Sequence, residues 1–397
     1  MTSNSYDVII AGGSISGLLA AREVAARGLS VVVLEDDNEI GTPEHCGGLV
    51  SIDGIQNLGI VPSDDSIQNS IKYAKISSAS KSFELNAEKQ KVLVLDRRVF
   101  DKQIAFQAQK TGAEIRVRCP VLTISKKEEH FGERNHDDKH CYIIKTSDGH
   151  LTCKYFVDAR GVGSLIQHNR HGVFQSAQYE VYAPWIISNT IEVKFDSDKF
   201  PGFFAWIIPI SSQRGKVGVA GRSINAANVL KSYMDSKGGG YSVVRKVYAP
   251  IWIMGPIEHF VSGRNIIIGD AAGQTKPTTA GGIYSCGMGG VLAGRAIAMA
   301  EQKNDDNLLH DYEKKWFSIF KSEFEKMLII RKLLERLDNK AIDKLFSTIS
   351  EGEMRLVSKM SVFDFHSTAI SRILYSRSGS KIIKTVLGNE VRRLFNG

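Results

Sequence analysis

A glycine turn, Gly12-Gly13-Ser14-Ile15-Ser16-Gly17, and an acid, Glu35, are spaced so that a backbone can cradle a pyrophosphate and a carboxylate can accept from ribose hydroxyls. Gly12 permits the tight turn, Gly17 lets helix and strand pack closely, and the helix that follows offers free N–H groups to an anion. Ser14 stands where the middle glycine of the pattern would be, and its hydroxyl can donate to phosphate. A thiol, Cys46, lies in the loop Gly41 to Ser51 beside Gly47 and Gly48. It is either a buried loop cysteine or a group that reaches a flat ligand through the gap the glycines leave. Much later, Asp270 closes an apolar run and can accept from a ribityl hydroxyl, and Gly281-Gly282 open a helix whose N-terminus can stabilise negative charge.

The elements that must position these groups follow from hydrophobic period. Val8 to Ile10, the turn, an Ala/Leu-rich helix to about Arg27 and the run ending at Glu35 read as a βαβ unit. Val92 to Leu95 is predicted as a strand that turns into a helix from about Val99 to Lys110, which places Arg97 at a strand-to-helix corner, either as a surface ion pair or beside a ligand. Tyr155 to Val157 runs into Asp158-Ala159-Arg160-Gly161, a second glycine turn that can approach the same nucleotide. From Ser176 to Gly221 the pattern changes to strands rich in Tyr, Trp, Val and Ile, which predicts an antiparallel sheet inserted into an α/β domain. Ile266 to Ile268 is a buried strand, and a small-residue helix runs from about Ile283 to Ala300. The chain beyond Asp305 is helical and charged. Glu35 and Asp270 lie so far apart that a long dinucleotide across an interrupted domain, FAD, suits them better than NAD in one compact unit.

The expected fold class is α/β: a Rossmann-like FAD-binding domain in two parts, 1–170 and 256–304, an antiparallel sheet domain at 171–255, and a helical region at 305–397. The balance of 51 Lys+Arg against 43 Asp+Glu, net +8, suits a solvated basic face or an anionic membrane surface. Five scattered cysteines without CxxC spacing build neither a zinc site nor a four-cysteine cluster, so no metal is expected, and their odd number favours reduced thiols in the cytoplasm. The first strand starts too early to leave room for a signal peptide, and no apolar run is expected to reach the ~18–20 residues that span a bilayer. The His130, His136 and His140 stretch is expected to be a solvated loop. The terminal segment from Ser380 sets an apolar stripe against Lys381, Lys384, Arg392 and Arg393, which suits either core packing or a membrane surface.

With these stretches placed, the chain resembles the geranylgeranyl reductase family within the wider FAD-dependent aromatic hydroxylase fold, over about residues 5 to 350. The likeness rests on Gly12 to Gly17 with Glu35, Gly41-Thr42-Pro43-Glu44-His45-Cys46-Gly47, Asp96-Arg97, Asp158 to Gly161, Gln178-Tyr179, Phe204-Ala205-Trp206-Ile207-Ile208-Pro209 followed by Gly218, and Gly269-Asp270 with Pro277, Gly281 and Gly282. Ser14 replaces a family glycine, Phe204 a tyrosine and Ile208 a phenylalanine. The resemblance implies hydride delivery from reduced FAD to isolated prenyl C=C bonds, with Cys46 as proton source or positioning group. It implies that Gln178, Tyr179, Phe204, Trp206 and Pro209 hold an isoprenoid lipid. An external donor, NADPH, ferredoxin or similar, would reduce the flavin at or near the inner membrane face, and no nucleic acid is expected. A flavin monooxygenase or halogenase shares most of these motifs but not the cysteine loop. A non-catalytic prenyl-binding carrier of the Rab escort kind shares the fold without flavin.

Overall fold

The computed structural model describes residues 4–126, 142–167 and 171–350, together with 352–353, 358 and 362–365. The His130 to His140 stretch, Cys141 and the terminal segment from Ser380 lie outside the described residues. In chain order the structure begins with β1 (Ser5–Ala11), α1 (Ile15–Ala25), β2 (Val31–Leu34), β3 (Leu49–Ser51), α2 (Ile52–Asn57), β4 (Ile67–Ile71), β5 (Tyr73–Ser77), β6 (Ser82–Asn86), β7 (Val92–Leu95) and α3 (Arg97–Lys110). It continues through β8 (Glu114–Arg116), β9 (Val121–Lys126), β10 (Tyr142–Thr146), β11 (Gly149–Asp158), α4 (Val162–Ile166), β12 (Val173–Tyr182), β13 (Thr190–Lys194), β14 (Ala205–Pro209) and β15 (Arg214–Gly221). Then come α5 (Ala226–Asp235), β16 (Ser242–Trp252), β17 (Val261–Ser262), β18 (Asn265–Ile267), α6 (Ile283–Lys303), α7 (His310–Leu334) and α8 (Asn339–Thr348).

The first sheet has the order β17-β18-β11-β1-β2-β8, with β10 and β9 added beside β11. From β18 to β8 its pairs are parallel. Parallel strands are covered on both faces, which is why Val8, Ile9 and Ile10 are all fully buried. α1 and α6 lie against each other on one face, and small residues set their distance: a Cβ on Gly290 would stand 2.1 Å from the Ser16 carbonyl oxygen, and one on Gly294 2.6 Å from that of Ala20. By length and mean hydropathy α6 is apolar enough to cross a membrane, contrary to the expectation that no such run exists; 78% of that stretch is buried inside the protein. The apolar composition serves helix packing. α3 starts two residues earlier than the hydrophobic period predicts, because the Asp96 side chain caps it by accepting from the Arg98 N–H.

The second sheet has seven strands in the order β16-β12-β15-β14-β13-β5-β6. Its pairs are antiparallel except β13 with β5, so residues 73–86 extend a sheet whose other strands come from beyond residue 172. Strand alternation gives the sheet two unlike faces. Ala177, Tyr179, Val181, Ala205, Ile207, Val217 and Val219 pack with Leu230, Tyr233 and Met234 of α5. Gln178, Trp206, Ile208, Lys216 and Gly218 sit on the opposite face, toward β3, β7 and the Cys46 loop. A third sheet, β3-β7-β4, ends at the Asp96-Arg97 corner and joins the two halves.

Candidate functional site

At the first end of the site, the turn Gly12 to Gly17 leaves no space for a side chain at Gly12 or Gly17. A Cβ on Gly17 would lie 2.0 Å from the Gly12 carbonyl oxygen, and one on Gly12, at φ +108°, 2.3 Å from that of Ala159 at the end of β11. The strand ends of β1 and β11 therefore meet at this turn. α1 begins at Ser14 without a side-chain cap, and the Ser14 and Ser16 hydroxyls are 3.1 Å apart. Glu35 accepts from the Gly13 N–H at 2.6 Å and from the Asp37 N–H at 3.0 Å. Burial, then the neighbouring Asp36, raises its pKa to about 7. Asp158 accepts from Arg160 and from the Ser164 hydroxyl, which closes its own turn.

A continuous path leads from this turn to the second end. A Cβ on Gly269 would meet the Ser16 hydroxyl at 2.4 Å, and the next residue, Asp270, accepts from the Cys286 thiol at 3.3 Å. Burial raises the Asp270 pKa, and burial followed by the Asp270 charge pushes the Cys286 thiol up. α6 starts beside them at Gly282, again without a side-chain cap. Arg97 makes two 2.8 Å bonds to Asp101, and the Cys46 thiol stands close enough to act on its charge. Burial opposes its charge, but Asp101 and then Cys46 hold its pKa above the ordinary arginine range. Two uncapped helix N-termini, a glycine turn and an acceptor carboxylate form a donor and acceptor set that fits the phosphates, ribityl chain and flavin ring of FAD.

Beyond Cys46 opens a cavity of about 260 Å³, walled by Cys46, Gly47, Gln178, Ile191, Val193, Phe203, Phe204, Trp206, Ile208, Val247 and Ile251 and closed by Gly281, Gly282 and Tyr284. Trp206 Nε1 donates to Gln178 Oε1 at 3.0 Å, and the Gln178 amide donates to the Cys46 carbonyl at 3.3 Å, so the aromatic wall and the cysteine loop are joined. Gly218 makes room for the indole, since a Cβ there would lie 2.2 Å from the Trp206 ring. Cys46 Sγ accepts from the Gly48 N–H at 3.3 Å.

The residues singled out from the sequence separate into groups. Gly12 to Gly17, Glu35 and Asp158 gather at the first turn, Asp270 follows the glycine that meets Ser16, and Gly161 opens α4. Cys46, Gly47, Gln178, Phe204, Trp206, Gly281 and Gly282 line the cavity. Tyr179 does not join them: adjacent strand residues point to opposite faces, and its hydroxyl meets Tyr248 at 2.7 Å on the α5 side. Pro209 also stands off the wall, its carbonyl accepting from Asn69 at 2.9 Å.

Sequence reasoning missed a buried ion cluster behind Cys46. Glu44 and Lys216, with side chains 0% and 1% exposed, pair at 2.6 Å, and Lys216 Nζ also donates to the Leu95 carbonyl at 3.3 Å. Arg245 bridges Glu44 to Glu180 at 2.8 Å from the latter, and Arg214 pairs with Glu180. The Arg97 N–H donates to Glu44 at 3.1 Å. One signal pointed to it: in β15, Lys216 occupies the face shared with Gly218, opposite Val217 and Val219, where a cation inside a sheet needs a partner.

This fold and donor set define a flavin-binding protein, and the chain belongs to the FAD binding domain family, whose profile matches residues 5–239. Among its relatives is digeranylgeranylglycerophospholipid reductase 1 of Methanopyrus kandleri, 28% identical over 88% of this chain and 96% of that protein. A geranylgeranyl bacteriochlorophyll reductase-like protein of Thermoplasma acidophilum superposes with a TM-score of 0.81 at 21% identity, covering 96% of this chain and 99% of that one. A flavin-dependent brominase superposes less closely, with a TM-score of 0.62 at 17% identity over 93% and 98% of the two chains.

Proposed function

We propose that this protein saturates isolated C=C bonds in the geranylgeranyl or other prenyl chains of isoprenoid membrane lipids. The observation that carries the reading is the apolar cavity opening between the Cys46 loop and the N-terminus of α6. FAD, when bound and reduced, supplies hydride. Gly12, Gly13, Ser14, Ser16 and Gly17 would hold its pyrophosphate, Glu35 its ribose, Asp270 its ribityl chain, and Gly281 and Gly282 the ring. Arg97, Asp158 and Gly161 would support that binding from the adjoining corner and turn.

An unactivated alkene has no carbonyl to take up charge, so a proton must reach the second carbon as the first receives hydride. The cavity wall is mainly apolar, and each buried CH₂ of the substrate contributes ~0.8 kcal/mol. Phe204, Trp206 and Gln178 would hold the chain, while Cys46 stands at the reacting end as proton source or positioning group. The electron donor is external, a nicotinamide or a small redox protein. The lipid reaches the enzyme at a membrane surface, with the C-terminal segment as the expected point of contact.

The deciding experiment is anaerobic incubation of reduced holoprotein with a geranylgeranyl lipid. Mass gains of two hydrogens per bond support the reading; turnover only with oxygen would move the protein to the monooxygenase or halogenase class. A protein that is colourless and takes up no FAD would be a carrier. Asp270→Ala is expected to weaken FAD binding, whereas Cys46→Ala keeps FAD and loses reductase activity. Vesicle co-sedimentation of the intact chain and a 1–379 truncation tests the membrane contact.

A further inference from the structure

The reductase reading leaves open which group of the cavity wall gives up the proton. Among the described residues the titratable groups on that wall are His45, Cys46, Lys276, Tyr284 and Asp364. His45 is exposed to solvent. Tyr284 is pushed up by burial, which weakens a phenol as an acid. Asp364 is engaged on both oxygens, by the Ser51 hydroxyl and by Lys276 at 3.6 Å. Cys46 Sγ is occupied by the Gly48 N–H and stands beside the Arg97 charge.

Lys276 differs from all of these. Its side chain is only 7% exposed, yet it borders the cavity, and its stem passes 3.2 Å from the Cβ position of Gly281 at the head of α6. The amine donates to the Phe363 carbonyl at 3.1 Å and lies 4.4 Å above the Phe363 ring. An ammonium has three donors, and the Phe363 carbonyl and Asp364, both on one turn, engage it from one side. Val362, which bridges to Phe365 in the same turn, is 48% exposed, so the turn that carries Asp364 reaches the surface. Burial lowers the lysine pKa and makes it a stronger acid, while Asp364 and then Glu323 of α7 keep it charged.

We propose that Lys276 is the catalytic proton donor of this cavity, with Cys46 positioning the alkene. With bound, reduced FAD as the hydride source, that hydride would form one new C–H bond, and the π pair of the alkene would take the proton from the Lys276 ammonium to form the other. The N–H bond breaks, the lysine is left as a neutral amine, and water beyond Asp364 reprotonates it. Alkene is reduced, flavin is oxidised, and no further reactant is needed. This rests on the reductase reading.

The test is an anaerobic single turnover of reduced holoprotein with geranylgeranyl lipid, using Lys276→Met, Lys276→Arg and Asp364→Asn. Lys276→Met is expected to slow reduction about 100-fold or more, the size of a general-acid contribution, with unchanged FAD content and unchanged lipid affinity by Trp206 fluorescence quenching. Lys276→Arg keeps the charge but cannot release a proton and is expected to be equally slow. Asp364→Asn removes the charge that raises the amine's pKa, so the alkaline fall in rate should move to lower pH. Competitive acetylation of Lys276 in the apoprotein, read by mass spectrometry, should show the same downward shift. Full activity of Lys276→Arg, or an alkaline limb and acetylation midpoint that Asp364→Asn leaves in place, overturns the assignment. If wild-type protein returns the lipid unreduced, the reductase reading itself falls; wild-type reduction with an active Lys276→Arg removes only the proton donor.

Discussion

The two ends of the site are held by different physics. At the Gly12 turn the constraint is steric and backbone-made: missing Cβ atoms let α1, β1 and β11 approach, and helix N–H groups provide the binding chemistry. At Cys46 the constraint is electrostatic and made by side chains, since Glu44, Lys216, Arg245 and Glu180 lock the loop to the second sheet from positions far apart in the chain. A steric turn tolerates no substitution but needs no partner. A buried ion cluster tolerates loss of all its members better than loss of one, because the desolvated remainder is left unpaired.

The largest effect that would test this contrast is expected from Gly17→Ala. Its methyl group must displace the Gly12 carbonyl, a backbone atom, so the change should exceed about 4 kcal/mol and abolish flavin binding, read by absorbance of the purified protein and by urea unfolding. A yellow, fully stable Gly17→Ala protein would show that the close packing is dispensable.

Lys216→Met comes next. It takes from Glu44 its fully buried partner, leaving Arg245 and the Arg97 N–H to hold the carboxylate, and should lower stability by about 3 kcal/mol, while Glu44→Gln added to it recovers part of the loss. Thermal unfolding of the two single variants and the double variant measures the coupling. Additive losses would mean that the pair is not a unit.

Gly218→Ala tests the cavity wall. A methyl group driven into the Trp206 indole should cost about 1–3 kcal/mol and shift the tryptophan emission, with flavin content unchanged. Loss of flavin in this variant would join two ends that the contrast holds apart.

The last effect concerns pH. Glu35 has a folded pKa of about 7 against an ordinary 4.5, so its contribution to apoprotein stability is fully present below pH 4.5 and is lost as pH rises through 7. Glu35→Gln should flatten that part of the curve of unfolding midpoint against pH. An unchanged slope would assign the titration to other groups.

The difference between the ends also explains what could be read early. The Gly12 turn, α1 and Glu35 were legible because a strand, a glycine turn and a helix each leave a signature within a few neighbouring residues. The two-faced strands were legible as alternation, yet Tyr179 was placed on the substrate side with Gln178, although the pleat sends neighbours to opposite faces. Apolar α6 was undervalued because Gly and Ala lower its apparent hydrophobicity while they permit close contact with α1.

The amino-acid sequence by itself determined the βαβ unit, the glycine turns and the strand faces, because φ/ψ freedom and hydrophobic period are properties of adjacent residues. Only the tertiary structure decided that Glu44 meets Lys216, that Arg97 reaches Cys46 and that Lys276 meets Asp364 at the cavity wall. Charges separated by scores of residues carry no mark of their partners, and their pairing and acidity depend on how completely the folded chain removes them from water.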